Sequence, residues 1–208
     1  MNIVVISNDD LKQELLSQGL QYGISVRYTE EITAVHSADC YIDLLFQPTK
    51  ERINKLQQLH PSLIVVNSVV TTGNELPDDF IRINGWPTFL KRAIVEASSS
   101  NDEIKNKTEN IFSCFGKKME WLPDIAGFVT ARIVSMIINE AYYSLHEKVS
   151  SKEEIDTAMK SGTNYPFGPF EWSKKVGLKN IYHLLESLSK INSRYKPSAL
   201  LKQEAMQL

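Results

Sequence analysis

Short apolar runs that alternate with helical patterns constrain the first half of this 208-residue chain. Residues 3–6 form a continuous β-branched run, which is typical of a parallel strand buried on both faces. Similar runs follow at residues 24–28, 41–46, 63–66, 80–83 and 93–97. Apolar residues at helical spacing separate the early runs, over 11–20 and 51–59. This order predicts a doubly wound α/β layer with parallel strand pairing.

The second half has only helical patterns. Residues 102–115 are amphipathic and end at Gly116, and apolar residues from Val129 to Leu145 recur near every 3.6 positions. Ser150 or Ser151 with a glutamate three residues later predicts another helix start, and 178–191 predicts a further helix. We therefore predict two domains, residues 1–122 and residues 123–208.

Composition excludes several classes of protein. Lys and Arg number 23 against 25 Asp and Glu, a net charge of −2, which gives no basis for binding nucleic acid or an anionic membrane. The apolar runs are far shorter than a membrane span, and the amino terminus lacks a signal-peptide pattern, so we expect a cytoplasmic protein. Cys40 and Cys114 lie far apart, and the four histidines lack metal-ligand spacing, so no metal site is predicted.

Three motifs in the second half carry a family resemblance. They are Asp124-Ile125-Ala126-Gly127-Phe128 with Arg132, then Ile155-Asp156, then Pro166-Phe167-Gly168-Pro169-Phe170. Their order resembles the C-terminal helical domain of the 3-hydroxyacyl-CoA dehydrogenases. The resemblance implies an α/β Rossmann-like N-terminal domain followed by an all-α domain of the 6-phosphogluconate dehydrogenase C-terminal-like type. It also implies an NAD-linked oxidoreductase of fatty-acid β-oxidation that forms a homodimer through the helical domain.

The cofactor loop of that family is altered in this chain. Ser7, Asp9 and Lys12 stand where the resemblance places three glycines, and Glu30 stands at the position of the acid that binds the ribose. The electrostatic repulsion between the Asp9 carboxylate and a pyrophosphate is about 3–4 kcal/mol at an effective dielectric constant near 20. The positive charge of Lys12 offsets this repulsion only in part. We therefore expect Asp9 or Asp10 to cap the first helix and Glu30 to lie in solvent. We also expect NAD to bind poorly, because the loop lacks the glycines that let a pyrophosphate approach.

The chain is also shorter than the family between its second and third strands. Only residues 31–37 separate the second strand from the segment 38–43, where the family has a helical excursion. Seven residues cannot hold a helix of an α/β unit. One wall of the substrate and cofactor cleft is therefore expected to be missing.

The catalytic positions implied by the resemblance are mostly replaced. Asn84 stands at the position of the histidine base, whereas Glu96 keeps the position of the glutamate that orients it. An amide is not a base near neutral pH, so Asn84 cannot take a proton from a hydroxyl. Apolar or imino side chains replace three further polar positions of the family, at Val69, Pro87 and Ala131.

Three functions remain open on these residues. The chain is either a non-catalytic, dimeric scaffold, or a binder of acyl-CoA that does not turn it over, or a divergent but active dehydrogenase with a rebuilt site. Other residues have ordinary interpretations. We expect three basic pairs to be solvated rather than bound to CoA phosphates: Lys91-Arg92, Lys117-Lys118 and Lys174-Lys175. We expect the tryptophans 86, 121 and 172 to pack in the core. Cys40 is expected to be inert, and His36 is not expected to replace the base.

Overall fold

The computed structural model describes residues 1–208 and consists of two compact units, Met1–Phe128 and Val129–Leu208. The division falls between residues 128 and 129, whereas the sequence predicted it between 122 and 123. The six intervening residues stay with the first unit because they bond to it. Asp124 pairs with Arg82, and the Gly127 N–H donates to the carbonyl of Val69 at 2.7 Å.

The first unit is built on a seven-stranded sheet with the strand order β2-β1-β3-β4-β5-β6-β7. Its elements are β1 (Asn2–Ile6), α1 (Asp9–Leu15), β2 (Ser25–Thr29), β3 (Cys40–Asp43), α2 (Lys50–Gln57), β4 (Leu63–Asn67), β5 (Phe80–Ile83), β6 (Ile94–Ser98), α3 (Asp102–Ser113) and β7 (Lys118–Trp121). Alternate residues of the central strands are buried on opposite faces of the sheet. Ile3 and Ile42 pack with α1 and α3, and Val4 and Tyr41 pack with α2. The predicted α/β layer is confirmed.

Two features of the sheet differ from the prediction. Strand β6 runs antiparallel to β5, because the connecting residues 84–93 are fewer than a parallel crossover needs. Strand β7 was not predicted. Its four residues alternate between exposed and half-buried at the sheet edge, a pattern too short to stand out in a segment that otherwise reads as helical.

The segment between β2 and β3 contains no helix, as its length predicts. Tyr41 holds it instead, since its hydroxyl accepts a hydrogen bond from the Val35 N–H at 2.8 Å. An open groove of about 1150 Å³ lies beside this segment, at the amino-terminal ends of the strands. His36, His60 and Lys107 are among its lining residues.

The second unit is all-helical, with α4 (Thr130–His146), α5 (Lys152–Thr163), α6 (Pro169–Val176), α7 (Leu178–Ser189) and α8 (Ala199–Gln207). Of the two candidates, Ser151 is the residue that caps α5. Its hydroxyl accepts from the Glu154 N–H, and Glu154 accepts from the Ser151 N–H in return. None of the helices in either unit combines the length and apolar composition that a membrane crossing requires.

The motif residues of the helical unit form a joint between α5 and α6. The Asp156 carboxylate accepts hydrogen bonds from the N–H groups of Phe170 (2.8 Å) and Glu171 (3.1 Å), two of the first donors of α6. Gly168 permits this approach, because a Cβ there would lie 2.3 Å from an Asp156 oxygen. Asp156 and Gly168 therefore depend on each other, and Pro169 begins α6 directly after the joint.

We predict that Gly168→Ala lowers the free energy of unfolding by about 3 kcal/mol, because the added methyl group forces the Asp156 carboxylate off the helix. Urea unfolding followed by circular dichroism measures the change. The matched control is Gly162→Ala near the end of α5, where nothing lies within 4 Å of the added Cβ. That variant should lose nothing and gain at most about 1 kcal/mol. Equal losses in the two variants would contradict the assigned joint.

Candidate functional site

Polar side chains line the carboxyl ends of the central strands, the edge at which open α/β sheets bind ligands. In the order of the sheet they are Glu30, Ser7, Asp43, Asn67 and Asn84, which end or follow β2, β1, β3, β4 and β5. The structure thus places Ser7 and Glu30 at the ends of neighbouring strands. This row of side chains is the candidate site.

Asn84 and Glu96 form a buried pair at one end of the row. The Asn84 side-chain N–H₂ donates to Oε2 of Glu96 at 2.8 Å, and the Asn84 backbone N–H donates to the Glu96 carbonyl at 2.9 Å. Asn84 is 1% exposed and Glu96 6% exposed. The two sequence-predicted catalytic positions therefore meet. The group that meets Glu96 is a neutral amide that donates, and it has no basic nitrogen to accept a proton.

Asn67 joins the ends of three strands in the middle of the row. Its amide nitrogen donates to the Leu44 carbonyl at 3.1 Å, and its oxygen accepts from the Gly85 N–H at 2.9 Å. A Cβ at residue 85 would lie 2.9 Å from the Asn67 side chain, so only glycine allows this bond. Both ends of the Asn67 amide are engaged with backbone, which gives this side chain a structural role.

The start of α1 differs from the prediction. Asn8 caps the helix, because its side-chain oxygen accepts from the Leu11 N–H at 3.0 Å. Asp9 and Asp10 lie exposed in the first turn instead of capping it. Asn8 takes the cap because it precedes the first helical residue in extended conformation, the geometry that a capping side chain needs. The Lys12 ammonium lies 4.7 Å over the Tyr28 ring.

These residues do not fit the pyrophosphate of a dinucleotide. Two carboxylates, Asp9 and Asp10, stand at the helix start, where a phosphate would need positive potential. Asn8 already occupies the Leu11 N–H, and Ser7 is 5% exposed, so it offers little open backbone to a ligand. Glu30 is exposed, as predicted.

Asp43 forms a buried ion pair beside the row. Its carboxylate accepts two hydrogen bonds from the Arg52 guanidinium, both at 2.7 Å, and a third from the Leu45 N–H at 3.1 Å. Burial raises the pKa of Asp43, and Arg52 opposes that rise. The pair connects the end of β3 to α2, and sequence reasoning placed Asp43 on a strand but missed its partner.

Arg82 is a buried cation within β5 that sequence reasoning also missed. It is 1% exposed, pairs with Asp124, donates to the Ser68 carbonyl at 3.1 Å, and lies 4.9 Å from the Phe128 ring. Burial lowers its pKa. The first motif therefore has a structural task within this unit, since Asp124 and Phe128 enclose Arg82. The sequence did contain a signal for this ion pair, namely an arginine inside an apolar strand. A buried arginine needs a carboxylate as its partner.

Lys117 is buried, although the sequence predicted that it is solvated. It is 2% exposed, whereas its neighbour Lys118 is exposed as predicted. The Lys117 ammonium donates to the carbonyls of Leu90 and Arg92 at 2.7 and 3.0 Å, which replaces the water that a solvated lysine would bind. Burial lowers its pKa to about 8.

The remaining expectations concern single residues. Trp86 and Trp172 are buried, as core packing predicts, and Trp121 is half-buried on β7. Cys40 is buried on β3, and burial raises its pKa. His36 lines the groove at the amino-terminal edge of the sheet, whereas Asn84 and Glu96 lie at the carboxyl end of β5, so the structure does not bring His36 to them.

A seven-stranded, mostly parallel α/β unit followed by a helical unit is the architecture of a Rossmann-like domain joined to an all-α domain. Residues 127–206 match the family model "3-hydroxyacyl-CoA dehydrogenase, C-terminal domain". Over these residues the chain is similar to the C-terminal helical domain of the 3-hydroxyacyl-CoA dehydrogenases.

Individual relatives are similar to different lengths of the chain. A 3-hydroxyadipyl-CoA dehydrogenase of Escherichia coli is 38% identical over 115 residues, which cover 54% of this chain and 24% of that protein. A 3-hydroxybutyryl-CoA dehydrogenase of Bradyrhizobium diazoefficiens is 27% identical over 182 residues, 79% of this chain and 62% of that protein. These alignments span less than two thirds of either relative.

The fold is similar to that of a solved (S)-3-hydroxybutyryl-CoA dehydrogenase from Ralstonia eutropha. The TM-score is 0.76 at 19% sequence identity, over 99% of this chain and 93% of that structure. At this identity the likeness describes the fold alone.

We predict that Arg52→Met lowers the free energy of unfolding by about 3–5 kcal/mol at neutral pH, because it leaves a buried carboxylate without its cation. The raised pKa of Asp43 gives the sign of the pH dependence. A protonated Asp43 needs no cation, so the loss should shrink as the pH falls through that raised pKa. Urea unfolding at several pH values measures it.

The double variant Asp43→Asn/Arg52→Met is the control for this pair. It removes both charges and should recover most of the lost stability at neutral pH. If the double variant were as unstable as Arg52→Met, the loss would come from packing of the arginine stem and not from the unpaired charge.

Proposed function

We propose that this chain is a member of the family that does not transfer hydride, and that it acts as a dimer, either as a scaffold or as a binder of a CoA thioester. One observation is the main support for the proposed loss of hydride transfer. The Asn84 amide donates to Glu96 at the position where the resemblance places the histidine base.

The chemistry of the reaction explains the weight of that observation. Oxidation of a 3-hydroxyl group needs a base that takes the hydroxyl proton as hydride leaves the carbon. A positioned base contributes about 10²–10⁴-fold to the rate, and an amide contributes nothing of this kind. The apolar residues at the positions of two further polar side chains, Val69 and Ala131, are both buried.

A CoA thioester is the ligand class that the relatives support. Both relatives described above are named as dehydrogenases of a CoA thioester. The polar row at the carboxyl edge remains in this chain, although Asp9 and Asp10 disfavour a dinucleotide there. The thioester proposal therefore does not require NAD.

We predict that NADH binds with a dissociation constant above about 100 μM, corresponding to less than about 5.5 kcal/mol of binding free energy. Isothermal titration calorimetry measures this. We also expect no oxidation of NADH with acetoacetyl-CoA, either by the natural chain or by Asn84→His, because the repaired base would still lack a positioned nicotinamide.

Titration of acetoacetyl-CoA in the same calorimeter separates the two forms of the proposal. Heat of binding without turnover supports a thioester binder, and its absence supports a scaffold. Turnover by the natural chain would instead support an active dehydrogenase with a rebuilt site, and would overturn the loss of hydride transfer.

The dimer proposal rests on an exposed apolar stripe along α4. Val129, preceding the helix, is 46% exposed and Ile133 is 54% exposed, while Met136 and Ile137 continue the stripe half-buried. Arg132, Arg194 and Glu140 flank it, around a cavity of about 390 Å³. Arginines and a glutamate on one patch suit a two-fold interface, in which each protomer offers both signs of charge.

We predict that the chain is a dimer at micromolar concentration, with about twice the mass of 23.7 kDa, and that Ile133→Glu dissociates it. A buried glutamate without a partner would oppose the interface. Light scattering coupled to size exclusion measures the mass. Val149→Glu is the control, because Val149 is 70% exposed beyond the end of α4. A monomeric natural chain, or equal dissociation by both variants, would refute the proposed interface.

A further inference from the structure

The loop of residues 86–92, which we name the clamped loop, connects the two members of the Asn84–Glu96 pair. It follows β5 directly after Gly85 and leads into β6. Two backbone hydrogen bonds within the loop each close a turn. The Phe89 N–H donates to the Trp86 carbonyl, and the Arg92 N–H donates to the Phe89 carbonyl. Such a loop has little intrinsic rigidity, so side chains from elsewhere set its conformation.

Two buried or partly buried charges bind the backbone of the loop. Glu14 at the end of α1 accepts the Thr88 N–H with both carboxylate oxygens, at 2.7 and 2.9 Å. The Lys117 ammonium donates to the carbonyls of Leu90 and Arg92. The side chains of Ser17 and Gln18 also donate to the Lys91 carbonyl, at 2.7 and 3.0 Å. Four side chains outside the loop therefore bind its backbone.

The loop is strained in this conformation. Thr88 has a φ of 77°, in the left-handed region that β-branched residues rarely adopt. The Thr88 hydroxyl is also buried without a hydrogen-bond partner. Strain of this kind persists only where the surroundings enforce it, and here the enforcing contact is the Glu14 carboxylate on the Thr88 N–H.

We propose that Glu14 and Lys117 form a clamp that keeps this strained loop closed through hydrogen bonds, and that the loop opens more readily when Lys117 is protonated than when it is neutral. A neutral amine still donates to both carbonyls, whereas the closed loop buries the charge of the ammonium. The charge that acts on the Lys117 ammonium is that of Glu14 on α1, and Lys91 on the loop acts on Glu14 in turn. Glu14 favours the charged form of Lys117, and burial disfavours it more strongly.

The sign of the pH dependence follows from proton linkage. In the closed loop the pKa of Lys117 is about 8, and in the open, solvated loop it returns to about 10.4. Between these values the open form binds more protons than the closed form, so opening must become rarer as the pH rises. These pKa values give about a tenfold decrease in opening between pH 7 and pH 9.

Trypsin cleavage after Lys91 and Arg92 measures the opening, because a protease needs the loop detached from its neighbours. The full chain without ligand is treated with dilute trypsin, so that cleavage follows the population of the open form. The rate at each pH is divided by the rate for a peptide of residues 86–95. We expect this normalised rate to fall about tenfold from pH 7 to pH 9. Cleavage after the buried Arg82 reports global unfolding.

Three variants test the clamp itself. Lys117→Met should abolish the pH dependence, and Glu14→Gln should move it to lower pH, because Lys117 loses the charge that favours its protonation. Lys118→Met, an exposed neighbour, should leave the profile unchanged. A normalised rate in the natural chain that is flat or rises with pH would overturn the proposal. So would cleavage after Arg82 in parallel with cleavage of the loop. No ligand is used, so the test is independent of what the candidate site binds.

Discussion

Burial of the central strands on both faces decides where the first unit can keep polar groups. The middle residues of β1, β3 and β4 are apolar and almost fully enclosed, so polar side chains are confined to strand ends, where backbone and neighbouring side chains can satisfy them. Asn67 and Asn84 lie at such ends, and both are hydrogen-bonded. Arg82 on β5 and Glu96 on β6 are charged groups within strands. The Asn84 amide donates to Glu96, and Asp124 and Phe128 enclose Arg82 from the segment that follows the sheet. The same requirement therefore builds the candidate site and extends the first unit to residue 128.

Local patterns in the sequence predicted the elements whose causes are local. The β-branched run at 3–6 and the Ser151–Glu154 capping box act within a few residues, and both elements formed where expected. Strand β7 and the burial of Lys117 depend on contacts with β6 and the loop before it, and no short window contains those residues. The expectation for Asp9 and Asp10 was wrong because the helix begins at Asp9, which leaves the capping position to Asn8.

The candidate site was predictable in its positions and not in its bonding. Asn84 and Glu96 were identified by a family resemblance, and the structure brings them within 2.8 Å of each other. The role of Asn67 is different, because its two hydrogen bonds reach Leu44 and Gly85 from separate strands. Only the strand order β3-β4-β5 makes those partners adjacent, so the sequence offered no signal for this contact.

The retention of Glu96 does not by itself argue for a retained activity. A carboxylate that is 6% exposed needs hydrogen-bond donors whether or not chemistry occurs there, and the Asn84 amide supplies one. An amide at the position where the resemblance places a histidine thus keeps the buried acid satisfied without supplying a base. The helical motifs have a structural role too, since Asp156 and Gly168 form a joint between α5 and α6 that does not depend on whether the protein is active. The match of the helical unit to the family model is therefore physically compatible with the proposed loss of hydride transfer.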